Sequence, residues 1–329
     1  MKERTMSSLG TALVTGATSG LGYEVAAQLA DKGFDKVIVT GRTTDRAEQA
    51  RQSLVDKTGK DVFTALALDL NDPGDVKRAA AEIASDGEQL SVAILNAGMV
   101  SGSKLVKTDQ DVEITFSSSL IGHHQLTMEL LAANMLTNDA AIVIAGSEAA
   151  RGDVPTFNPT DLKTLADKSF GGDMTAAAEG LIRGNDAVRY KPATVYTDAK
   201  VFVAWWAAQL ATRLPEGMTV NAVSPGSAPD TLAARNANFF MKHLMIPVFK
   251  HAPKRLGMAA PVPVAAARYI EVATSEDRVT GKFFASAPKK MTGPIEVMHM
   301  PHFGDTESQE AAWAATVKVA GGIGYPVTA

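Results

Sequence analysis

Short apolar runs recur along the chain at 12–15, 36–40, 62–67, 92–95, 141–145, 219–223 and 282–285, separated by longer stretches with helical spacing. Runs of four to six residues, bounded by glycine or turn residues, predict parallel strands buried on both faces. Their alternation with helices predicts an α/β fold, a doubly wound parallel sheet of about seven strands with helices on both sides. Three stretches break the repeat. The first, 149–193, has no clear strand and reads as an insertion with helices at 160–168 and 173–183. The second, 229–256, carries Phe239, Phe240, Met241, Met245 and Phe249. It reads as plain core or as a substrate lid; its place after the Pro225-Gly226 turn favours the lid, since methionine adapts to varied apolar shapes. The third is a C-terminal extension, 287–329, with a terminal helix at 307–319. All of this is expected to form a single domain over 1–329.

Composition narrows the function. The chain has 329 residues, 46% hydrophobic and 21% charged, which suits a globular protein with a full core. A net charge of −4 supplies no basic field for nucleic acid or an anionic membrane. With no cysteine, disulfides, thiolate catalysis, cysteine-ligated zinc and iron–sulfur clusters are excluded. The polar first ten residues do not resemble a signal peptide, and no apolar run approaches the roughly 20 residues of a membrane span. The expectation is a soluble cytoplasmic protein.

Candidate chemistry sits at the strand ends. Gly16, Gly20 and Gly22 follow the first strand and open a helix at 21–32; glycines there let the backbone turn tightly and approach a pyrophosphate at a helix N-terminus. The second strand ends Val39-Thr-Gly-Arg42. An acid near that point would accept from a ribose 2′-hydroxyl, but Gly41 occupies the place. Arg42, with Arg46 nearby, suits a 2′-phosphate, so NADP(H) is favoured over NAD(H). Asp69 and Leu70 end the third strand, where they can hold adenine. Asn96, Ala97 and Gly98 end the fourth, where small residues let backbone lie beside a cofactor. Farther on, Tyr196 and Lys200 are four residues apart, on one face of a helix. An ammonium beside a phenol is expected to lower the phenol pKa from its usual value of about 10.

Together these motifs resemble the short-chain dehydrogenases/reductases. The similarity runs over about 9–285. It includes Thr15-Gly-Ala-Thr-Ser-Gly-Leu-Gly22, Asp69-Leu70, Asn96-Ala-Gly98, Ala145-Gly-Ser147, Tyr196-Thr-Asp-Ala-Lys200 and Asn221-Ala-Val-Ser-Pro-Gly226. The resemblance implies a Rossmann-type domain and NAD(P)-dependent hydride transfer between an alcohol and a carbonyl. It assigns Tyr196 as proton donor or acceptor, Lys200 to the nicotinamide ribose, Ser147 to the substrate oxygen, and Pro225 and Gly226 to the nicotinamide carboxamide. Gly16, Thr18, Ser19, Gly20, Leu21 and Gly22 would form the cofactor turn. The pattern departs from the family in three places. Ser119 stands where members carry a relay asparagine. Ser147 and Tyr196 are about fifty residues apart, as in retinol-dehydrogenase-like and protochlorophyllide-reductase-like members. Thr231 comes one residue later than usual.

With the Phe/Met lid, the expected partner is a small hydrophobic carbonyl or alcohol. Two alternatives stand beside this reading. One is a non-catalytic NADP-binding sensor, against which Tyr196, Lys200 and Ser147 all speak. The other is a light-dependent protochlorophyllide-type reductase, against which the lack of cysteine speaks. No metal is expected, because His123 and His124 point apart on a helix and His299 and His302 lack ligand partners. Trp205 and Trp206 read either as core or as a subunit interface, and the resemblance leaves a homo-oligomer open.

Overall fold

The computed structural model describes residues 9–100, 102–154, 156–228 and 259–324. The Phe239–Phe249 cluster and Thr231 lie outside the described residues.

Period-two burial builds the sheet. In β1 (Thr11–Val14), Leu13 joins one hydrophobic core while Ala12 and Val14 join the other. A strand whose two faces are both apolar must be covered on both sides. The other strands are β2 (Lys36–Gly41), β3 (Phe63–Ala67), β4 (Leu90–Leu95), β5 (Leu136–Ala145), β6 (Thr219–Val223), β7 (Phe283–Ser286) and β8 (Ile295–Val297). They form one sheet in the order β3-β2-β1-β4-β5-β6-β7-β8. β1 through β7 pair in parallel, and β8 runs antiparallel to β7. The expectation of seven strands is therefore short by one. β8 has three residues in a proline- and methionine-bearing tail, too few to show a period of two, and only its pairing with β7 makes it a strand. The order reverses at β1 and β4, which opens a crevice at their carboxyl ends.

Helices α1 (Gly20–Lys32), α2 (Thr44–Thr58) and α3 (Pro73–Asp86) follow the first three strands. After β4 come a single turn, α4 (Ile114–Phe116), a π-helical turn at Ser117–Ile121 and α5 (Gly122–Ala132). The insertion holds α6 (Leu162–Ser169) and α7 (Met174–Arg183), each started by an aspartate whose carboxylate accepts from a backbone N–H three residues on. The long α8 (Pro192–Ala211), α9 (Val262–Ala273) and α10 (Thr306–Val319) follow among the described residues. Among the described residues no helix is long and apolar enough to cross a membrane.

α10 packs against α7 and α8. Trp206 donates its indole N–H to His124 Nδ1 at 3.0 Å, and His124 Nε2 donates in turn to the Ile323 carbonyl at 2.7 Å. Trp313 of α10 meets the His124 ring edge-on at 5.4 Å. Trp205 donates to the His302 carbonyl at 2.7 Å. Both tryptophans are thus buried within their own chain by the C-terminal extension, and the core reading of the pair replaces the interface one.

Candidate active site

The glycine turn is built to admit something narrow. Gly16 and Gly20 have φ of 66° and 59°, in the left-handed region that favours glycine. A Cβ at Gly22 would sit 2.5 Å from both Asn96 Nδ2 and the Gly16 carbonyl, so α1 approaches the turn as closely as backbone allows. Asn96 holds the turn from β4, donating to the Thr15 carbonyl at 3.0 Å. Ser19 begins α1 in extended conformation without a side-chain cap, and no acid occupies the first turn. Thr18 and Leu21 flank it. Free N–H groups at the positive end of a helix suit a pyrophosphate. The residues present therefore fit a dinucleotide.

The ribose end shows why the acid of NAD readers is missing. A Cβ at Gly41 would lie 2.8 Å from Ala47 N and from Thr18 Cγ2, so no carboxylate fits there. Arg42 and Asp69 line one open cavity of about 620 Å³, with Asp72, Asp75, Arg78 and Glu82. Arg78 is already bound to Asp75 at 2.7 Å and Glu82 at 2.8 Å, whereas Arg42 makes no ion pair among the described residues. Asp69 accepts from Asn71 N at 3.0 Å, and Leu70 is buried beneath α5 with its carbonyl against Gly122.

At the other end, Ser147 follows β5 and accepts from Ala149 N at 3.2 Å. Its hydroxyl is near enough to the Tyr196 phenol to favour phenolate. Lys200, four residues on along α8, lies 5.9 Å from the Tyr196 ring centre and donates to the Ala145 carbonyl at 2.7 Å. Three groups from distant stretches thus converge at the carboxyl end of β5. The electrostatics depart from the sequence expectation. Burial raises the Tyr196 pKa, the Ser147 hydroxyl opposes that, and the Glu148 carboxylate adds to it. Burial also pulls Lys200 down to about 8. The expected lowering by Lys200 does not prevail, because burial of the phenol itself is the largest effect.

Ser119 lies in the π-helical turn, 1% exposed, and its hydroxyl has no partner among the described residues. It faces Gly98: a Cβ there would be 3.0 Å from Ser119 Oγ and 3.9 Å from Lys200 Nζ. Ser119 is therefore brought to the Lys200 side of the site. His123 ties this turn to the nucleotide turn. Ala97 N–H donates to Thr15 Oγ1 at 3.0 Å, and Thr15 Oγ1 is 2.9 Å from His123 Nε2. His123 Nδ1 is 3.3 Å from the Ser119 carbonyl. Full burial drops its pKa to about 3, so the ring is neutral. Gly226, with φ of 80°, places the turn after β6 against Arg268 Nη1, 2.8 Å from where its Cβ would stand.

Two groups had no signal in the sequence. Asp198 points away from Tyr196 and receives both the N–H and the hydroxyl of Thr160, at 2.8 and 2.7 Å. Glu148, next to Ser147, pairs with Arg268 of α9 at 3.2 Å. Each partner is more than thirty residues distant, and only folding joins them.

The short chain dehydrogenase family model matches residues 10–159. Retinol dehydrogenase 13 of Homo sapiens is 24% identical over 318 residues, covering 94% of this chain and 84% of that protein. The crystal structure of an uncharacterised protein from Mycobacterium paratuberculosis aligns with a TM-score of 0.68 at 22% identity, covering 97% of this chain and 96% of the other. A short chain dehydrogenase from Burkholderia cenocepacia, solved in complex with NADP, aligns at 0.58 and 23% identity, covering 84% and 95%. At these identities the solved structures show the fold.

Proposed function

We propose that the chain, an NAD(P)-dependent oxidoreductase similar to the short-chain dehydrogenases, interconverts a hydrophobic carbonyl compound and its alcohol with NADP(H), using Tyr196 as general acid and base. The observation that carries this reading is that the Ser147 hydroxyl acts on the Tyr196 phenol, with Lys200 on the same helix face.

The bound dinucleotide supplies or accepts the hydride. Charge then develops on the substrate oxygen, and both Ser147 and Tyr196 are placed to donate to it; donors aimed where charge develops stabilise the transition state more than the ground state. A phenol whose pKa is raised by burial is fully protonated near neutrality, which suits the reductive direction. Lys200 holds positive charge beside it, and Ser119, with an uncommitted hydroxyl on the Lys200 side, is the proposed relay group. NADP(H) over NAD(H) is supported by Gly41, which excludes an acid, and by the guanidinium of Arg42, which makes no ion pair among the described residues. The NADP bound to the Burkholderia enzyme agrees with that preference. Phe157 of the insertion, whose ring centre is 6.3 Å from that of Tyr196, makes the substrate side apolar.

The test is Tyr196→Phe with a panel of apolar and polar carbonyls. Turnover should fall by a factor on the order of 10² to 10⁴ while NADPH still binds. Full activity in that variant would falsify the mechanism, and a preference for small polar hydroxy acids would overturn the substrate class.

A further inference from the structure

Glu148 and Arg268 are 2% and 5% exposed, and neither is on the sequence pattern that defines the site. Charged side chains are rarely buried this fully unless paired, and a buried pair often contributes no more stability than apolar residues of the same volume. Their placement is more informative than their energy. Glu148 Oε1 accepts from Arg268 Nη1 at 3.2 Å, from the Ser286 N–H at 3.3 Å and from the Ser286 hydroxyl at 3.1 Å. Its Oε2 accepts from the Ser224 hydroxyl, and Ser224 Oγ accepts from the Gly226 N–H at 3.2 Å. Arg268 also donates to the Ser224 carbonyl at 3.0 Å, to Ser286 Oγ at 2.8 Å and to the Gly293 carbonyl at 2.6 Å. One charge pair thus binds the segments that leave β5, β6 and β7. The first of these carries Ser147, and the second carries Pro225 and Gly226.

We propose that Glu148 and Arg268 are positioning residues: a buried latch that fixes the Ser147 hydroxyl relative to the Pro225-Gly226 turn, and so sets the substrate oxygen against the nicotinamide. The inference rests on the function proposed above. The Ser224 hydroxyl is the joint of the latch, since it passes the Gly226 N–H to the carboxylate. Gly226 cannot carry a side chain because Arg268 fills that space. The carboxylate has a second effect, on charge. The groups that face the Tyr196 phenol are Ser147 and Glu148 from the end of β5, Lys200 from α8 and Tyr269 from α9. Of these Glu148 is the only carboxylate, and it disfavours phenolate.

The experiment compares Glu148→Gln, Arg268→Met, the double variant and Ser224→Ala, reading NADPH affinity by fluorescence titration and kcat across pH. Glu148→Gln should weaken NADPH binding about tenfold and move the ionisation assigned to Tyr196 downward. The double variant should lose less than the two single losses combined, because it leaves no unpaired charge. Ser224→Ala keeps the charge pair and breaks only the joint, so it remains informative where the charge variants fail to fold. It should weaken NADPH binding with the pH profile unmoved. Unchanged NADPH affinity in Ser224→Ala, or a folded Glu148→Gln with an unmoved pH profile, overturns the proposal. The latch is read by NADPH affinity in Ser224→Ala and the Tyr196 mechanism by turnover in Tyr196→Phe. A failure of the Tyr196 reading therefore appears as full turnover in Tyr196→Phe, separately from any result on the latch.

Discussion

Asp198 offers a sharp test of how the insertion is fastened to the helix that carries Tyr196 and Lys200. It is 3% exposed and takes two hydrogen bonds from Thr160. Burial nevertheless outweighs both bonds and pushes its carboxyl up to about 7. The folded chain therefore holds the proton more tightly than the unfolded chain, whose aspartate titrates near 4. Stability from this group is fully present below about pH 4 and is lost as pH rises through about 7. A difference of about 3 pK units corresponds to a ceiling of about 4 kcal/mol, and relaxation of the site reduces it. Asp198→Asn keeps the shape and one acceptor for the Thr160 N–H, while the Thr160 hydroxyl can rotate to accept from the amide. This variant should equal the parent at pH 4 within about 0.5 kcal/mol and exceed it by about 1–3 kcal/mol at pH 8. Urea unfolding followed by tryptophan fluorescence at both pH values reads the difference. If Asp198→Asn were instead less stable than the parent at pH 8, the carboxylate would be ionised and held by its two donors, and the argument from burial would be wrong.

Three further outcomes follow from the geometry. Arg42→Ala should raise the KM for NADPH by about one to two orders of magnitude and leave that for NADH nearly unchanged, the loss expected of one charge-assisted contact to a 2′-phosphate; steady-state kinetics with both cofactors checks it. Gly22→Ala should abolish dinucleotide binding and lower the melting temperature, because the new Cβ meets the Gly16 carbonyl and Asn96 Nδ2 at 2.5 Å, as calorimetry with and without NADPH would show. His123 and His124 are held neutral, with pKa about 3 and about 4, so their stabilisation is complete above about 6.5 and is lost as pH falls, about 2 kcal/mol for each by pH 5. Denaturant titrations in the Asp198→Asn background remove the opposing carboxyl and expose that slope.

Much of the site was legible because its signals are local. A glycine turn after a strand, a tyrosine four residues before a lysine, and an aspartate at the start of each insertion helix all declare themselves over a few residues. The same holds for most of the strands, whose alternating burial is written into consecutive positions. β8 escaped because three residues carry no period. Other features depend on partners that folding brings from far away. The Glu148–Arg268 pair spans 120 residues, and the Thr160–Asp198 tether spans 38. The direction of the Tyr196 shift belongs to the same class. Sequence spacing places an ammonium beside the phenol, but the sign of the effect depends on whether burial outweighs that charge. Here the lysine is as deeply buried as the groups around it, and its proton is directed to the Ala145 carbonyl. Desolvation of the phenol outweighs the ammonium 5.9 Å from the ring centre. The shift at Tyr196 is therefore set first by its own burial and then by the hydroxyl of Ser147 and the charge of Glu148, two neighbours at the end of one strand, rather than by the helix spacing that first draws attention to it.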